Sequence, residues 1–221
     1  MKIDVITGPK MVDFQKFFLI KLQTDRLVWK RGATEMDTKS MIIDKATALF
    51  QQKGYIGVGL TEILKACNIS KGALYHHFPN GKEELLIACL QALNEEITRD
   101  MEDIFGRYPT TREATNAMVE KLTHHFETEG TLKGYTFSSI VSEMAALSDP
   151  VRIACAQLYQ RMQDIYYKKL VADGYPEDKA RSFALMMTAS IEGGMMLCLT
   201  QKATEPLKVI SQVLADSIKG V

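Results

Sequence analysis

The side chains best suited to contact a charged polymer stand close together, directly after Ser70; they are Lys71, Tyr75, His76 and His77. Lysine and histidine contact phosphates, and hydroxyl and imidazole groups also hydrogen-bond to base edges. If this stretch is helical, Ser70 can cap its first turn by accepting a hydrogen bond from a backbone N–H. The residue types therefore favour binding to nucleic acid.

Two short helices must position these side chains. Apolar residues recur at helical spacing before a break at Asn68, which predicts a supporting helix over 61–67 and a recognition helix over 71–77. Two helices joined by such a turn form a helix-turn-helix, whose second helix enters the DNA major groove. Gly72 and Ala73 have almost no side chain, so the backbone can approach the groove floor. A small buried helical hairpin with a solvated histidine pair is the alternative interpretation.

The same stretch resembles the DNA-binding motif of the tetracycline-repressor (TetR) family. The resemblance runs from about residue 38 to 97, and its specific part is Gly72-Ala73-Leu74-Tyr75-His76-His77-Phe78 followed by Lys82-Glu83-Glu84-Leu85. Gly59 departs from the family, which often has Ser or Thr there. The loop Pro79-Asn80-Gly81 is one residue longer than the common form. This longer loop, together with Gly59-Leu60-Thr61-Glu62-Ile63-Leu64, resembles the LmrA-type branch, which implies a flavonoid or another planar, drug-like effector.

The resemblance implies a sequence-specific transcriptional repressor that binds operator DNA as a homodimer and is released by a small apolar or aromatic effector. A small-molecule-binding helical protein without a DNA role is the alternative. The DNA contacts would come from Thr61, Ser70, Lys71, Gly72, Ala73, Tyr75, His76, His77 and Lys82. In such repressors the effector favours a state in which the long helix from Lys82 is displaced, so that the recognition helices no longer match the operator.

The distribution of charge agrees with DNA binding at one end of the molecule. The formal net charge is zero, but residues 38–82 carry six Lys or Arg against two Asp or Glu. Residues 83–221 carry fourteen basic against twenty acidic residues. A basic segment joined to an acidic remainder is typical of a protein that binds phosphate with one end only.

Helical periodicity runs through the chain, and no strand pattern is visible. The fold class predicted is all-α, with an N-terminal three-helix DNA-binding domain that contains the helix-turn-helix and a C-terminal helical domain for ligand binding and dimerisation. A first helix is predicted over 38–53, ended by Gly54, and a long helix from Lys82 ties the two domains together. The predicted boundaries are 1–37 for a poorly ordered N-terminal extension, 38–98 for the DNA-binding domain, with its motif at about 61–80, and 99–221 for the rest. A basic arm that reaches DNA is the alternative for residues 1–35.

Methionine and aromatic residues are frequent in the predicted C-terminal domain. Methionine adapts to irregular shapes, and small-molecule sites are mostly apolar with a few polar groups. For each such residue, packing in an ordinary core is the alternative. The candidate effector-pocket residues are Met118, Leu122, Phe137, Met144, Tyr159, Met162, Tyr166 and Met186.

The segment 176–199 is apolar on most of its sides, so most of its sides must be covered. Together with the last helix it could pair with its own copy as a four-helix bundle around a twofold axis. A buried helix in a monomer is the alternative. The candidate dimerisation residues are Phe183, Met187, Ile191, Gly194, Met195, Ile210 and Leu214.

The sequence argues against other classes of function. His124 and His125 are adjacent, so on a helix they point about 100° apart and cannot easily share a metal ion; no metal or cofactor is expected. No Gly-x-Ser-x-Gly or His-Glu-x-x-His motif is present, so no enzyme is expected. Four widely spaced cysteines suit a reduced, cytoplasmic protein. No uninterrupted apolar run approaches the ~18 residues of a membrane span, so no membrane partner is expected.

Overall fold

The computed structural model describes residues 35–130, 140, 142–144 and 148–218, with side chains from residue 38 onward. The chain divides into a unit of residues 1–41, in which the described residues 35–41 are helical, and a unit of residues 42–221. All contacts below lie in the second unit. The predictions for residues 1–34, both the poorly ordered extension and the basic arm, lie outside the described residues, as does Phe137.

Within the described ranges the regular structure is helical and no strand occurs, which confirms the all-α prediction. The helices are α1 (Glu35–Gly57), α2 (Leu60–Cys67), α3 (Lys71–His77), α4 (Lys82–Arg107), α5 (Thr111–Glu129), α6 (Asp149–Ala172), α7 (Glu177–Gln201) and α8 (Glu205–Ser217). Residues 140 and 142–144, between α5 and α6, are also helical. We call residues 42–81 the head and residues 82–218 the body.

The head is a small core closed by apolar side chains from α1, α2 and α3. Those buried are Ile42, Ala46, Phe50, Val58, Ile63, Cys67, Leu74 and Phe78. The predicted break at Gly54 is present as a kink, because this glycine adopts φ 69° and ψ 170° inside α1. Helical geometry resumes for one turn, to Gly57, beyond the predicted end of the helix.

The body packs as a helical bundle in which α6 contacts α4 and α7, while α8 contacts α5 and α7. Two helix starts are fixed by short polar side chains. Thr110 and Glu113 form a capping box at α5, and the Ser148 hydroxyl accepts a hydrogen bond from the Val151 N–H at α6. The predicted boundary at 98/99 falls inside α4, which continues without a break from the head into the body.

One helix of the described residues, α7, is long and apolar enough to cross a membrane by length and composition. Serine, threonine and glycine interrupt the apolar residues of α7, so the sequence contains no uninterrupted apolar run of that length there. In its most apolar window 39% is buried inside the body, and helices in the cores of globular proteins have the same composition. The remaining apolar surface of α7 therefore needs a cover, which is considered below.

The contact between α7 and α8 depends on a glycine. A Cβ atom built on Gly194 would lie 2.8 Å from the side-chain ends of both Leu207 and Ile210. Its neighbour Gly193 has nothing within 4 Å of the same position. Gly194 therefore allows close packing of two helices within one protomer, whereas Gly193 faces outward.

We expect Gly194→Leu to lower the free energy of unfolding by about 1–3 kcal/mol, because the added carbons overpack the α7–α8 contact. The matched control is Gly106→Ala in α4, where nothing lies within 4 Å. This control should be neutral, or stabilising by up to ~1 kcal/mol through helix propensity. Urea unfolding at one protein concentration compares the two variants. Equal stability of both would contradict the close approach of α7 and α8.

Candidate functional site

Helix α3 presents its polar side chains to solvent and is fixed at both its start and its centre. The Ser70 hydroxyl accepts a hydrogen bond from the Ala73 N–H at 3.1 Å and caps the first turn. Leu74 is completely buried and anchors the helix on the head. Lys71 and Tyr75 are exposed. The helix is therefore a rigid support for outward side chains.

The turn between α2 and α3 has the geometry of a tight helical corner. Asn68 ends α2 in the left-handed conformation, with φ 54° and ψ 47°, one that asparagine tolerates better than most residues. Ile63 and Cys67 of α2 are buried beneath α3. The Lys45 ammonium donates a hydrogen bond to the Ala66 carbonyl at 2.7 Å. The exposure of α3 disfavours the alternative of a buried hairpin.

Tyr75 lies at the centre of the exposed surface of α3. Its side chain is among the exposed large hydrophobic ones, at 39%. Its ring packs over Gly81, where a Cβ atom would meet the ring edge at 3.5 Å. The Lys71 ammonium lies 5.7 Å from the ring centroid, within the range of a cation–π contact. Lys71 and Tyr75 are thus arranged as one basic and aromatic surface.

The nine residues predicted to contact DNA fall into three groups in the structure. Those that are exposed are Thr61, Ser70, Lys71, Gly72, Tyr75 and His76. Ala73 and His77 are half-buried, and the His76 and His77 rings meet edge to face with centroids 5.1 Å apart. Lys82 forms the third group, because it faces the head.

The structure gives Lys82 a different environment from the phosphate contact predicted for it. Its ammonium donates a hydrogen bond to the Tyr55 carbonyl at 2.6 Å and lies 3.9 Å from the centroid of the Tyr55 ring. Desolvation lowers the pKa of Lys82, while the nearby Glu143 carboxylate acts in the opposite direction. In this structure Lys82 therefore holds the turn of the head at Tyr55, and its contact with phosphate stays a prediction.

The body contains a cavity of about 530 Å³ between α4, α5, α6 and α7. Its apolar lining is made of Ile97, Met101, Met118, Leu122, Leu158, Met162, Tyr166, Ile191 and Met195. Its polar lining is made of Glu96, Arg99, Asp100, Asp103, Lys121, His124, His125, Thr128 and Glu192. Such a combination suits a small molecule with an apolar frame and a few polar groups.

Four of the eight predicted pocket residues line this cavity, and they are Met118, Leu122, Met162 and Tyr166. Three others lie outside it. Met144 is buried elsewhere, Tyr159 lies beside the cavity with its hydroxyl 3.4 Å from Glu192, and Met186 is 39% exposed on α7. The sequence could not resolve these cases, because it does not reveal which face of a mostly apolar helix points inward.

Tyr166 is the polar group buried most deeply at this cavity. Its side chain is fully buried, and its hydroxyl donates to the sulfur of Met118 at 3.6 Å. A thioether is a weak acceptor. Burial raises the pKa of Tyr166, and Glu192 raises it further, so the hydroxyl remains a donor. A ligand that offers an oxygen or nitrogen acceptor would give this hydroxyl a stronger partner.

The residues predicted for dimerisation are mostly inside the protomer. Met187, Ile191, Met195 and Leu214 are no more than 3% exposed, so they cannot contact a second chain directly. Gly194 faces α8, as described above. Phe183 and Ile210 are half-buried. The apolar side chains that do face outward on the same two helices are Leu185, Met186, Met196, Leu197, Val209 and Val213.

Other groups that could do chemistry are unremarkable in the described ranges. No three His, Cys, Asp or Glu side chains there cluster as metal ligands would. The four cysteines are free and buried. Burial raises the pKa of the Cys89 thiol to about 12 and that of Cys155 to about 11, which disfavours their reactive thiolate forms.

Two protein-family models match the chain. Residues 42–89 match the model described as bacterial regulatory proteins of the tetR family. Residues 111–213 match the C-terminal domain of LmrA/YxaF-like transcriptional regulators. The first match covers α2 and α3, which carry the exposed basic and aromatic surface, and the second covers most of the body, including much of the cavity lining.

Individual relatives agree with these matches. The HTH-type transcriptional regulator LmrA of Bacillus subtilis is 34% identical over 183 residues, which are 83% of this chain and 97% of LmrA. The uncharacterised regulator YxaF of the same organism is 32% identical over 80% of this chain and 92% of its own. The crystal structure of reduced Escherichia coli NemR shares the fold, with a TM-score of 0.76 at 21% identity, over 84% of this chain and all of NemR. LmrA and YxaF are regulators, which confirms the prediction that the protein is not an enzyme.

Proposed function

Because the chain belongs to the TetR family of transcriptional regulators, in the branch of LmrA and YxaF, we propose that it is a repressor. In this proposal a homodimer binds a near-palindromic operator and leaves it when a small apolar or aromatic effector enters the body. The observation that carries the proposal is the exposed surface of Lys71, Tyr75 and His76 on a capped and anchored α3.

We propose separate roles for the residues of the DNA-binding surface. Lys71 and Tyr75 contact phosphates or base edges, since both are exposed and the Lys71 ammonium lies near the Tyr75 ring. Gly72 and Ala73 let the backbone of α3 lie close to the groove. His76, His77 and Thr61 bind phosphates at its margin, and Ser70 maintains the helix start. Two such surfaces about 34–36 Å apart would read successive major grooves.

We propose that the dimer forms through the outward faces of α7 and α8. Each helix carries exposed apolar side chains at helical spacing, Val209 and Val213 on α8 and Leu185, Met186, Met196 and Leu197 on α7, with Ala189 and Gly193 exposed between those of α7. Gly193 has open space beside it, so a second helix could approach closely. If α7 and α8 pair with the same helices of a second copy, the outward apolar side chains of α7 are covered. These side chains contribute to the membrane-like composition of α7. A cytoplasmic protein without a membrane partner is consistent with this cover.

We propose that the 530 Å³ cavity holds the effector. Its methionine and leucine side chains would contact an apolar or aromatic frame, and the Tyr166 hydroxyl would donate to an acceptor on that frame. Ile97 and Met101 of α4 belong to the lining. A ligand with different affinities for two positions of α4 would therefore shift the head between two orientations.

We expect Lys71→Ala and Tyr75→Ala each to weaken binding to DNA from upstream of the protein's own gene by at least tenfold, while the dimer remains intact. For Lys71→Ala, the slope of log affinity against log salt should also fall by about 1 per lost phosphate contact. Gel shift or fluorescence anisotropy at several salt concentrations measures both quantities. Lys168→Ala, at an exposed lysine of α6, is the control and should leave both unchanged. Unaltered operator binding by Tyr75→Ala would contradict the assignment of α3.

We expect Val213→Asp to convert the dimer to monomers, because it places a charge in the apolar surface of α8. Ile153→Asp is a matched control on α6, since Ile153 is 48% exposed and Val213 is 58% exposed. Analytical ultracentrifugation should find the control variant as a dimer. A Val213→Asp protein that stays dimeric would show that α7 and α8 do not form the interface.

We expect a screen of aromatic compounds by thermal shift to find a ligand that raises the midpoint of unfolding and weakens operator binding. Ile97→Trp should abolish the shift by filling the cavity. Ile153→Trp, at an exposed position outside the cavity, should respond as the wild type does. If Ile97→Trp keeps the full thermal shift, the ligand binds elsewhere.

A further inference from the structure

One carboxylate of the body holds the turn of the head that precedes the helix-turn-helix. Glu143 accepts hydrogen bonds at its Oε2 atom from the backbone N–H groups of Tyr55, at 3.0 Å, and Ile56, at 3.1 Å. These two residues are separated from Glu143 by 88 and 87 positions in sequence. The contact is therefore tertiary, between the head and the helical residues 142–144 of the body.

The two N–H groups need such a partner because α1 is kinked. Gly54 leaves helical geometry, so the first N–H groups of the turn after it have no carbonyl of a preceding turn to bind. At most helix starts a serine, threonine or aspartate next to the turn satisfies these donors. Here Glu143 supplies the acceptor from the body, and its negative charge strengthens both hydrogen bonds.

Gly54 is required at this place for two reasons. Its φ of 69° lies in the left-handed region, which disfavours other residues. In addition, a Cβ atom on Gly54 would collide with the Glu143 carboxylate. The glycine thus makes the kink and also leaves space for the group that caps it.

A second contact joins the same parts of the head and body, and a third lies beside it within the body. The Lys82 ammonium binds the Tyr55 carbonyl, so both backbone polar groups of Tyr55 are held from outside its own turn. The hydroxyl of Ser148, at the start of α6, donates to Glu83 in the first turn of α4 at 2.9 Å. Glu143 and Lys82 thus both reach the backbone of α1 from the body, and Glu143 is the one of the two that supplies an acceptor for its N–H groups.

We propose that Glu143 is a positioning residue that fixes the orientation of the head on the body and so prepares α3 for operator binding. Without its carboxylate, the turn at Tyr55 and Ile56 loses its cap, and the head samples more orientations. DNA binding must then order the head, which weakens affinity. This inference rests on the proposed DNA-binding function for its consequence, but the clamp itself can be measured without DNA.

The test compares hydrogen exchange of the Tyr55 and Ile56 amides by NMR in full-length protein labelled with ¹⁵N at Tyr and Ile. Glu143→Ala should accelerate both amides at least tenfold, and Glu143→Asp, which keeps the charge but is shorter, should do so at least threefold. Glu143→Gln retains an acceptor oxygen and should change exchange less than threefold. Glu113→Ala removes a carboxylate that accepts a backbone N–H within the body, and it should leave both amides unchanged.

A double variant separates the clamp from general destabilisation. Gly54→Ala displaces the carboxylate, so it should accelerate the same amides in the wild type. The strain at φ 69° acts in both backgrounds, but the displacement of the carboxylate acts only where Glu143 is present, so Gly54→Ala should add less acceleration in the Glu143→Ala background. Additive effects of the two substitutions, or unchanged exchange in Glu143→Ala and Glu143→Asp, would overturn the clamp.

Operator affinity then tests the consequence. Glu143→Ala should bind at least threefold more weakly than Glu113→Ala, with the dimer intact. Equal or tighter binding, together with faster amide exchange, would overturn the positioning role while leaving the clamp in place. If the wild-type protein binds no operator, the proposed function fails instead, and the amide exchange still decides whether Glu143 holds the head.

Discussion

The structure depends on the burial of one helix in two cores. Helix α4 has 26 residues, about 39 Å at 1.5 Å per residue, and it runs without a break from the head into the body. Near its start, Leu85, Leu86 and Cys89 are buried, and the Cys89 thiol lies 3.5 Å from the Ile43 carbonyl of α1. Further on, Met101 lines the cavity. Because α4 is packed at both ends, a displacement of this helix at the cavity would also act on the head.

Polar contacts decide how the head follows α4. The apolar core of the head is small, and hydrophobic contact alone is not directional. Hydrogen bonds have defined geometry, and those at Tyr55 join α1 to Lys82 and to Glu143 at once. Because Lys82 belongs to α4 and Glu143 to the segment before α6, a relative movement of these two parts of the body would pull the same turn in different directions.

Sequence reasoning succeeded where chemistry is local. The residues of α2 and α3 are neighbours in sequence, so the cap at Ser70 and the buried Leu74 follow from helical spacing alone. It failed for contacts between distant segments. The residues near Lys82 in sequence do not indicate its hydrogen bond to Tyr55. Those near Glu143 do not indicate its hydrogen bond with Ile56. The kink at Gly54 could be predicted, but the group that occupies the space beside it could not.

The predictions for the cavity and for the dimer interface differ from the structure at the same element, helix α7. Ile191 and Met195 were assigned to the dimer but line the cavity, whereas Met186 was assigned to the cavity but faces outward. In an amphipathic helix the apolar residues mark the buried face, but α7 is apolar on both faces, so its sequence does not indicate which face is buried.

The apolar composition of α7 on both faces also has a mechanical consequence. If a second protomer covers the outward face, the cavity and the dimer interface lie on opposite sides of one helix. An effector that displaces Ile191 would then act on the interface as well as on α4, and the separation of the two heads would respond to both.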